Sequence, residues 1–149
     1  MFKTLLLFSL TWLFVGCADL PRDQHGATAR IRESGEFVVG ISDERFDSAE
    51  MEAREKMLLE KVAARLNARI VWRRGNAHHL LKDLVELKLP LVAVNIPCNS
   101  PFANRVGMSQ PYFKDRTNHT DYCLTVAPGE NRLLLLVDQT IAEEQNHSQ

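Results

Sequence analysis

The sequence has no excess of either charge. Its 18 Lys and Arg residues stand against 19 Asp and Glu, a net charge of −1, with both signs scattered along the chain. No nucleic-acid partner is expected, because phosphate backbones are held by clustered basic side chains. A GxSxG elbow, a Walker loop and a GxGxxG turn are also missing, so the common signatures of acyl transfer, nucleotide hydrolysis and dinucleotide binding are absent and no cofactor is expected. The adjacent His78 and His79 point different ways on a helix and do not make a metal site. There is no internal repeat or low-complexity tract, and the 45% apolar content is that of a globular chain.

Long apolar runs are scarce, and the main one is N-terminal. MFK gives a positive start, TLLLFSLTWLFVG (residues 4 to 16) is almost wholly apolar, and Cys17 ends it. The run is shorter than the roughly 20 residues a helix needs to cross a bilayer, so it has the layout of a secretory signal. Leu13, Phe14, Val15 and Gly16 before Cys17 resemble the lipobox of bacterial lipoproteins. That resemblance implies cleavage before Cys17, lipidation of Cys17, and a periplasmic protein anchored to a bacterial membrane. Ala18 would direct it to the outer membrane of a Gram-negative host. The expected organisation is a signal peptide over 1–16, a polar tether over 17–27, a folded lobe over 28–144 and a disordered tail over 145–149.

Within the folded part, EFVVGI (residues 36 to 41) is short, apolar and rich in β-branched residues, which predicts a buried strand. In the following DSAEMEAREKMLLEKVAARLNA, Asp47 and Glu50 make a capping-box-like start. Met51, Glu55, Leu58, Val62 and Leu66 form one helical stripe with Leu59 and Ala63, interrupted only by Glu55. Asn67 can end this helix in a left-handed conformation. RIVWR (69 to 73) predicts a second strand. Asn76 caps a helix over AHHLLKDLVELK, with Leu80, Leu84 and Leu87 at helical spacing, and LPLVAVNI (89 to 96) predicts a third strand. SPFANRVGMSQPYFKD (100 to 115) reads as a long loop. DYCLTVA (121 to 127) predicts a fourth strand, and RLLLLVDQTIAEE a last helix with Leu133, Leu134, Val137 and Ile141 inward. Strands alternating with helices imply βαβ units and a parallel sheet covered on both faces, a three-layer α/β fold.

In such sheets ligands bind beyond the carboxyl ends of the parallel strands. This rule selects Ser42, Asp43, Glu44 and Arg45 after the first strand, and residues 95 to 105 after the third, where Asn99, Ser100 and Arg105 are polar. The same residues could equally serve to cap and solvate loop backbone. Tyr112 and Phe113 could clamp a core or stack on a ligand. Cys98 and Cys123 either pair in an oxidising compartment or stay as buried thiols. Cys98 as a nucleophile would need a base, and His119 is the only histidine near it in sequence, so no enzyme is expected.

ARIRESGEFVVGIS (29 to 42) resembles the opening of the family 3 extracellular solute-binding proteins, periplasmic receptors that deliver amino acids and other small polar solutes to ABC transporters. SPFANRVGMSQPYF resembles a later family segment, with Val106, Ser109, Pro111 and Tyr112 matching, and LTVAPGENRLLLLVDQTI resembles the returning strand and helix. The resemblance implies one lobe of a type II periplasmic binding protein, its mostly parallel sheet carrying one antiparallel strand. It implies a ligand site from Ser42, Asp43, Arg45, Asn99, Ser100, Arg105 and Tyr112, with a small polar solute or amino acid as ligand and an ABC permease as partner. It also places the returning strand beside the third, which implies a Cys98–Cys123 disulfide. The sequence departs from the family in four places. Phe102 stands about where a ligand-clamping Arg is expected, Pro90 replaces an acidic residue, the Pro-Pro-aromatic segment after the first strand is missing with only Phe46 nearby, and KDRTNHT (114 to 120) stands where a second lobe would be. A single lobe cannot close over a ligand unless a partner supplies the other wall, so the alternative expectation is an interaction or accessory module of the cell envelope.

Overall fold

The computed structural model describes residues 21 to 43 and 48 to 147, so the expected signal peptide, Cys17 and Arg45 lie outside the described residues. The described elements are α1 (Ala27–Ser34), β1 (Glu36–Ser42), α2 (Ala49–Arg65), β2 (Arg69–Gly75), α3 (Ala77–Val85), β3 (Leu91–Pro97), a 3-10 turn (Pro101–Asn104), β4 (Gly107–Asp115), β5 (Thr120–Val126) and α4 (Asn131–His147). The strands form one sheet in the order β2-β1-β3-β5-β4. β1 pairs in parallel with β2 and β3, while β5 is antiparallel to both β3 and β4. Four strands therefore run one way and β5 alone runs back, the arrangement expected of the fold. We call the amino ends of β1 to β3 the base of the sheet and their carboxyl ends the rim.

Alternation along the strands divides the core into two. Phe37 and Val39 of β1 join α1, α2 and α4 in the larger cluster, which includes Leu58, Leu59, Val62, Leu133, Val137 and Ile141. Val38 faces the other way, with Leu80, Leu81 and Leu84 of α3 and with Phe102 and Val106 of the segment between β3 and β4. Each fully buried leucine or isoleucine contributes roughly 2 to 3 kcal/mol, which fixes α2 and α4 to one face and α3 to the other. Gly40 permits the closeness of α3: a Cβ there would lie 2.9 Å from Val92 and 3.1 Å from Leu80.

Several elements differ from the sequence expectations. The segment read as a loop over 100 to 115 contains β4. Pro111 is tolerated because β4 is an edge strand, and register shifts on both sides of Pro111 hide the alternation. Ser48, rather than Asp47, accepts the capping bond from Met51 N at 3.3 Å, and Asp47 lies outside the described residues. Asn67 does end α2 in the left-handed region, with φ 57°. The helix α3 stops at Val85, so Leu87 is exposed and has φ 62° instead of continuing the stripe. Leu134 is only partly buried.

Both ends of the lobe reach further than expected. Residues 21 to 27 do not stand off as tether. Gln24 N donates to Gly129 O at 3.0 Å, and the Asp23 carboxylate accepts from Thr28 N (2.8 Å) on one oxygen and from Arg132 N (2.8 Å) and Leu133 N (3.0 Å) on the other. One side chain thus satisfies orphan donors at the start of both α1 and α4. The buried Glu130 carboxylate reciprocates, accepting from His25 N at 3.0 Å and Ala27 N at 2.8 Å. At the other terminus α4 continues to His147, past the expected start of a tail at 145, and Gln145 Nε2 donates to Pro111 O at 2.8 Å.

Candidate functional site

The rim is assembled by the ends of parallel strands. Ser42 lies beside Gly75, and Asp43 N donates to Gly75 O at 3.0 Å, which holds the exit of β1 against that of β2. β3 pairs with β1 as far as Ile41 opposite Ala93 and then runs on to Pro97. Just past that last pair, Asn95 adopts φ 52° and its buried Oδ1 has no hydrogen-bond partner. Non-glycine residues in this region carry strain, which tends to gather at functional positions. Nothing in the sequence marked Asn95 beyond its place in the segment 95 to 105.

After β3 the chain is pinned. Cys98 and Cys123 are joined by a disulfide with Cα atoms 5.1 Å apart, and Cys98 N donates to Asp121 O at 2.8 Å. Asn99 is exposed, and Ser100 Oγ accepts from Phe102 N at 3.3 Å to start the 3-10 turn. At the same end, the β4–β5 turn is closed by Asp115. Its carboxylate accepts from Thr117 N (2.8 Å), Asn118 N (3.2 Å) and Asn118 Nδ2 (2.9 Å), bonds that hold its pKa below the ordinary value. A groove of about 960 Å³ opens here between that turn and the start of α2, lined by Ser48, Glu50, Arg54, Lys114, Asp115 and Arg116 among others.

Of the residues expected to form a ligand site, the rim brings together Ser42, Asp43, Asn99 and Ser100, whereas Arg45 lies outside the described residues. Two others, Arg105 and Tyr112, are placed differently. Gly107 pairs with Val126, which also pairs with Leu91 at the beginning of β3, so the segment between β3 and β4 has returned toward the base by Arg105. The Arg105 guanidinium lies over the Phe102 ring, 5.5 Å from its centroid, in a pocket of about 290 Å³ shared with His78 and Lys82 of α3 and with Glu86 just past its end. Tyr112 is only 1% exposed and its hydroxyl donates to Glu55 Oε2 at 2.7 Å. The irregular register around Pro111 turns its hydroxyl under α2, while the residue also lines the groove at the β4–β5 turn.

The Glu55–Tyr112 pair sets an acid within the larger core cluster. Burial raises the Glu55 pKa from 4.5 to about 7 against the lowering effect of the tyrosine hydrogen bond, with Glu52 adding to the rise. Burial and the neighbouring Glu55 charge also push the Tyr112 phenol up. Glu55 was visible in the sequence as the one break in an apolar stripe, but its partner was not. Among the described residues no group of three or more His, Cys, Asp or Glu could hold a metal ion, and no helix is long and apolar enough to cross a membrane.

No protein-family model matches the sequence, and no curated protein matches it. Solved structures do. A point mutant of the arginine-bound form of domain 1 from TmArgBP shares the fold with a TM-score of 0.69 at 18% identity, over 80% of this chain and 99% of that one. An amino acid ABC transporter substrate-binding protein from Streptococcus pneumoniae, bound to L-arginine, gives 0.69 at 9% identity, over 81% and 92%. The ancestral amino acid-binding protein AncCDT-1, described as a precursor of cyclohexadienyl dehydratase, gives 0.67 at 9% identity, over 81% and 94%. At these identities the likeness is one of fold: the described residues share the architecture of the domain seen in these solved structures.

Proposed function

We propose that this chain is an envelope solute-binding-like protein, exported by its N-terminal signal and lipid-anchored through Cys17, whose rim takes a small polar solute of the amino acid class. The observation that carries the reading is the likeness to an isolated domain 1 in arginine-bound form, because 99% of that one-domain chain is covered. A single lobe of this fold is thus compatible with holding an amino acid. The ligand-facing groups would be Ser42, Asp43, Asn99 and Ser100, with Arg45 contributing from beyond the described residues and delivery to an ABC permease as the role. Asp43 supplies a negative charge for the ammonium or guanidinium of a cationic amino acid. Action is by binding rather than by catalysis.

Thermal-shift and calorimetric titration of the full mature chain with arginine and with other amino acids tests this. The expected outcome is a rise in Tm with a cationic amino acid, since a ligand that binds only the folded state stabilises it by mass action. No response to any amino acid at millimolar concentration would overturn it.

A second reading has its own support. Arg105 is turned onto Phe102, away from the strand ends, and the Tyr112 hydroxyl is engaged by Glu55, so neither expected ligand contact stands open at the strand ends. In this reading the rim and its 960 Å³ groove form a docking face for an envelope protein, without tight solute binding. Crosslinking in cells that trapped a partner through Asn118 or Arg116, with amino acids inert, would favour it.

A further inference from the structure

We infer that, granted Cys17 as the lipid anchor, the lobe rests base-down on an anionic bilayer, with lipid headgroups in the groove between α1 and the α3–β3 turn and the rim facing away from the membrane. The inference rests on the lipidation reading above, and begins from chain length. Only residues 18 to 22 separate Cys17 from Asp23, and Asp23 is fastened to the base by its bonds to the first turns of α1 and α4. Fully extended, that connection reaches at most about 20 Å. A domain of this size has a radius of gyration near 13 to 14 Å, and so a diameter of about 35 Å. An inverted lobe would hold Asp23 farther from the lipid than the connection spans. The rim therefore cannot face the membrane that anchors the chain.

The chemistry of the base selects the resting face. A groove of about 240 Å³ lies there, lined by Arg30, Lys88 and Glu36 together with Ile31, Leu87 and Pro90 among others. Leu87 is 37% exposed, an apolar side chain beside two cations, which is the combination that an anionic headgroup above acyl chains would meet. Arg32 and Arg132 are exposed nearby, Glu36 is paired with Arg69, Lys88 contacts both Glu86 and Asp83, and the carboxylates of Asp23 and Glu130 accept from backbone N–H groups. Glu33 is the remaining exposed acid on α1. Held this way, the lobe would offer its solute and docking surface to a partner in the space beyond its own bilayer.

The full lipidated chain reconstituted in vesicles of phosphatidylethanolamine and phosphatidylglycerol tests this, with a donor dye attached through Glu33→Cys at the base or Asn118→Cys at the rim and an acceptor on the headgroups. Stronger transfer from the base than from the rim is expected. That excess should fall in Arg30→Glu/Lys88→Glu and when phosphatidylcholine replaces the anionic lipid. Equal or reversed transfer overturns the inference, as does an excess indifferent to both charge changes, because headgroup contact would then play no part. A chain that carries no lipid and fails to join vesicles overturns the anchor reading and the inference with it, and is recognised separately by its mass.

Discussion

The base and the rim of this lobe use polar side chains in opposite ways. At the base, Asp23 and Glu130 are consumed by the chain itself, five backbone N–H groups between them, and they fasten the N-terminal segment, α1 and α4 into one unit. At the rim, Asp43 and Asn99 are exposed, and the order there comes from a covalent link and a turn, Cys98–Cys123 and Asp115, rather than from buried acids. The difference teaches where to look for function. A carboxylate whose oxygens are satisfied by its own backbone is structural, whereas one left at the end of parallel strands remains available to something else.

The comparison can be broken most severely at the disulfide. Cys98→Ala/Cys123→Ala opens a loop with a sequence separation of 25, and the chain-entropy treatment gives a loss of about 3 kcal/mol or slightly more, readable as a lower denaturant midpoint. If the rim is ordered chiefly by this link, amino acid binding should weaken in the same variant.

Next in size is the contrast of two aspartates. Asp23→Ala removes caps from two helices and should cost about 2 to 3 kcal/mol. Asp43→Ala should stay within about 0.5 kcal/mol, as exposed substitutions do, yet diminish any response to a cationic solute. Equal destabilisation by the two would erase the distinction between base and rim.

The last effect sharpens the picture from the core between the two poles. Because the Glu55 pKa rises from 4.5 to about 7 on folding, the folded chain holds a proton that the unfolded chain has released between those values. Stability therefore falls as pH climbs through that window and stays lower above it. Glu55→Gln keeps an acceptor for the Tyr112 hydroxyl without the charge. It should raise stability at pH 8 by roughly 2 to 3 kcal/mol, leave pH 4.5 nearly unchanged, and flatten the pH profile measured by chemical denaturation.

Much of the fold was legible because burial writes period into sequence. β1 and β3 are apolar runs, the stripe of α2 is almost unbroken, and Asn67 and Asn76 mark a helix end and a helix start. β4 was not legible: it is an edge strand with a proline and two register shifts, so neither alternation nor propensity survives in GMSQPYFKD. α1 and the docked segment before it were missed for another reason. They are held by long-range bonds from Asp23 and Glu130, more than a hundred residues apart in places, and such bonds leave no local pattern. The position of the candidate site residues was half legible. The strand-end rule located Ser42, Asp43, Asn99 and Ser100, but it could not show that the crossover would carry Arg105 back toward the base or that Tyr112 would turn inward to Glu55.

Asp115 and Thr120 face each other across the β4–β5 ladder, so the chain leaves the sheet and re-enters it through points only about 5 Å apart. A guest sequence with adjoining ends could be spliced there without moving one core side chain, as loop tips generally allow. The tip is thus a seam: along it a protein of two bodies could be trimmed to one, or a solitary body could acquire a companion, with the parent architecture intact in either direction.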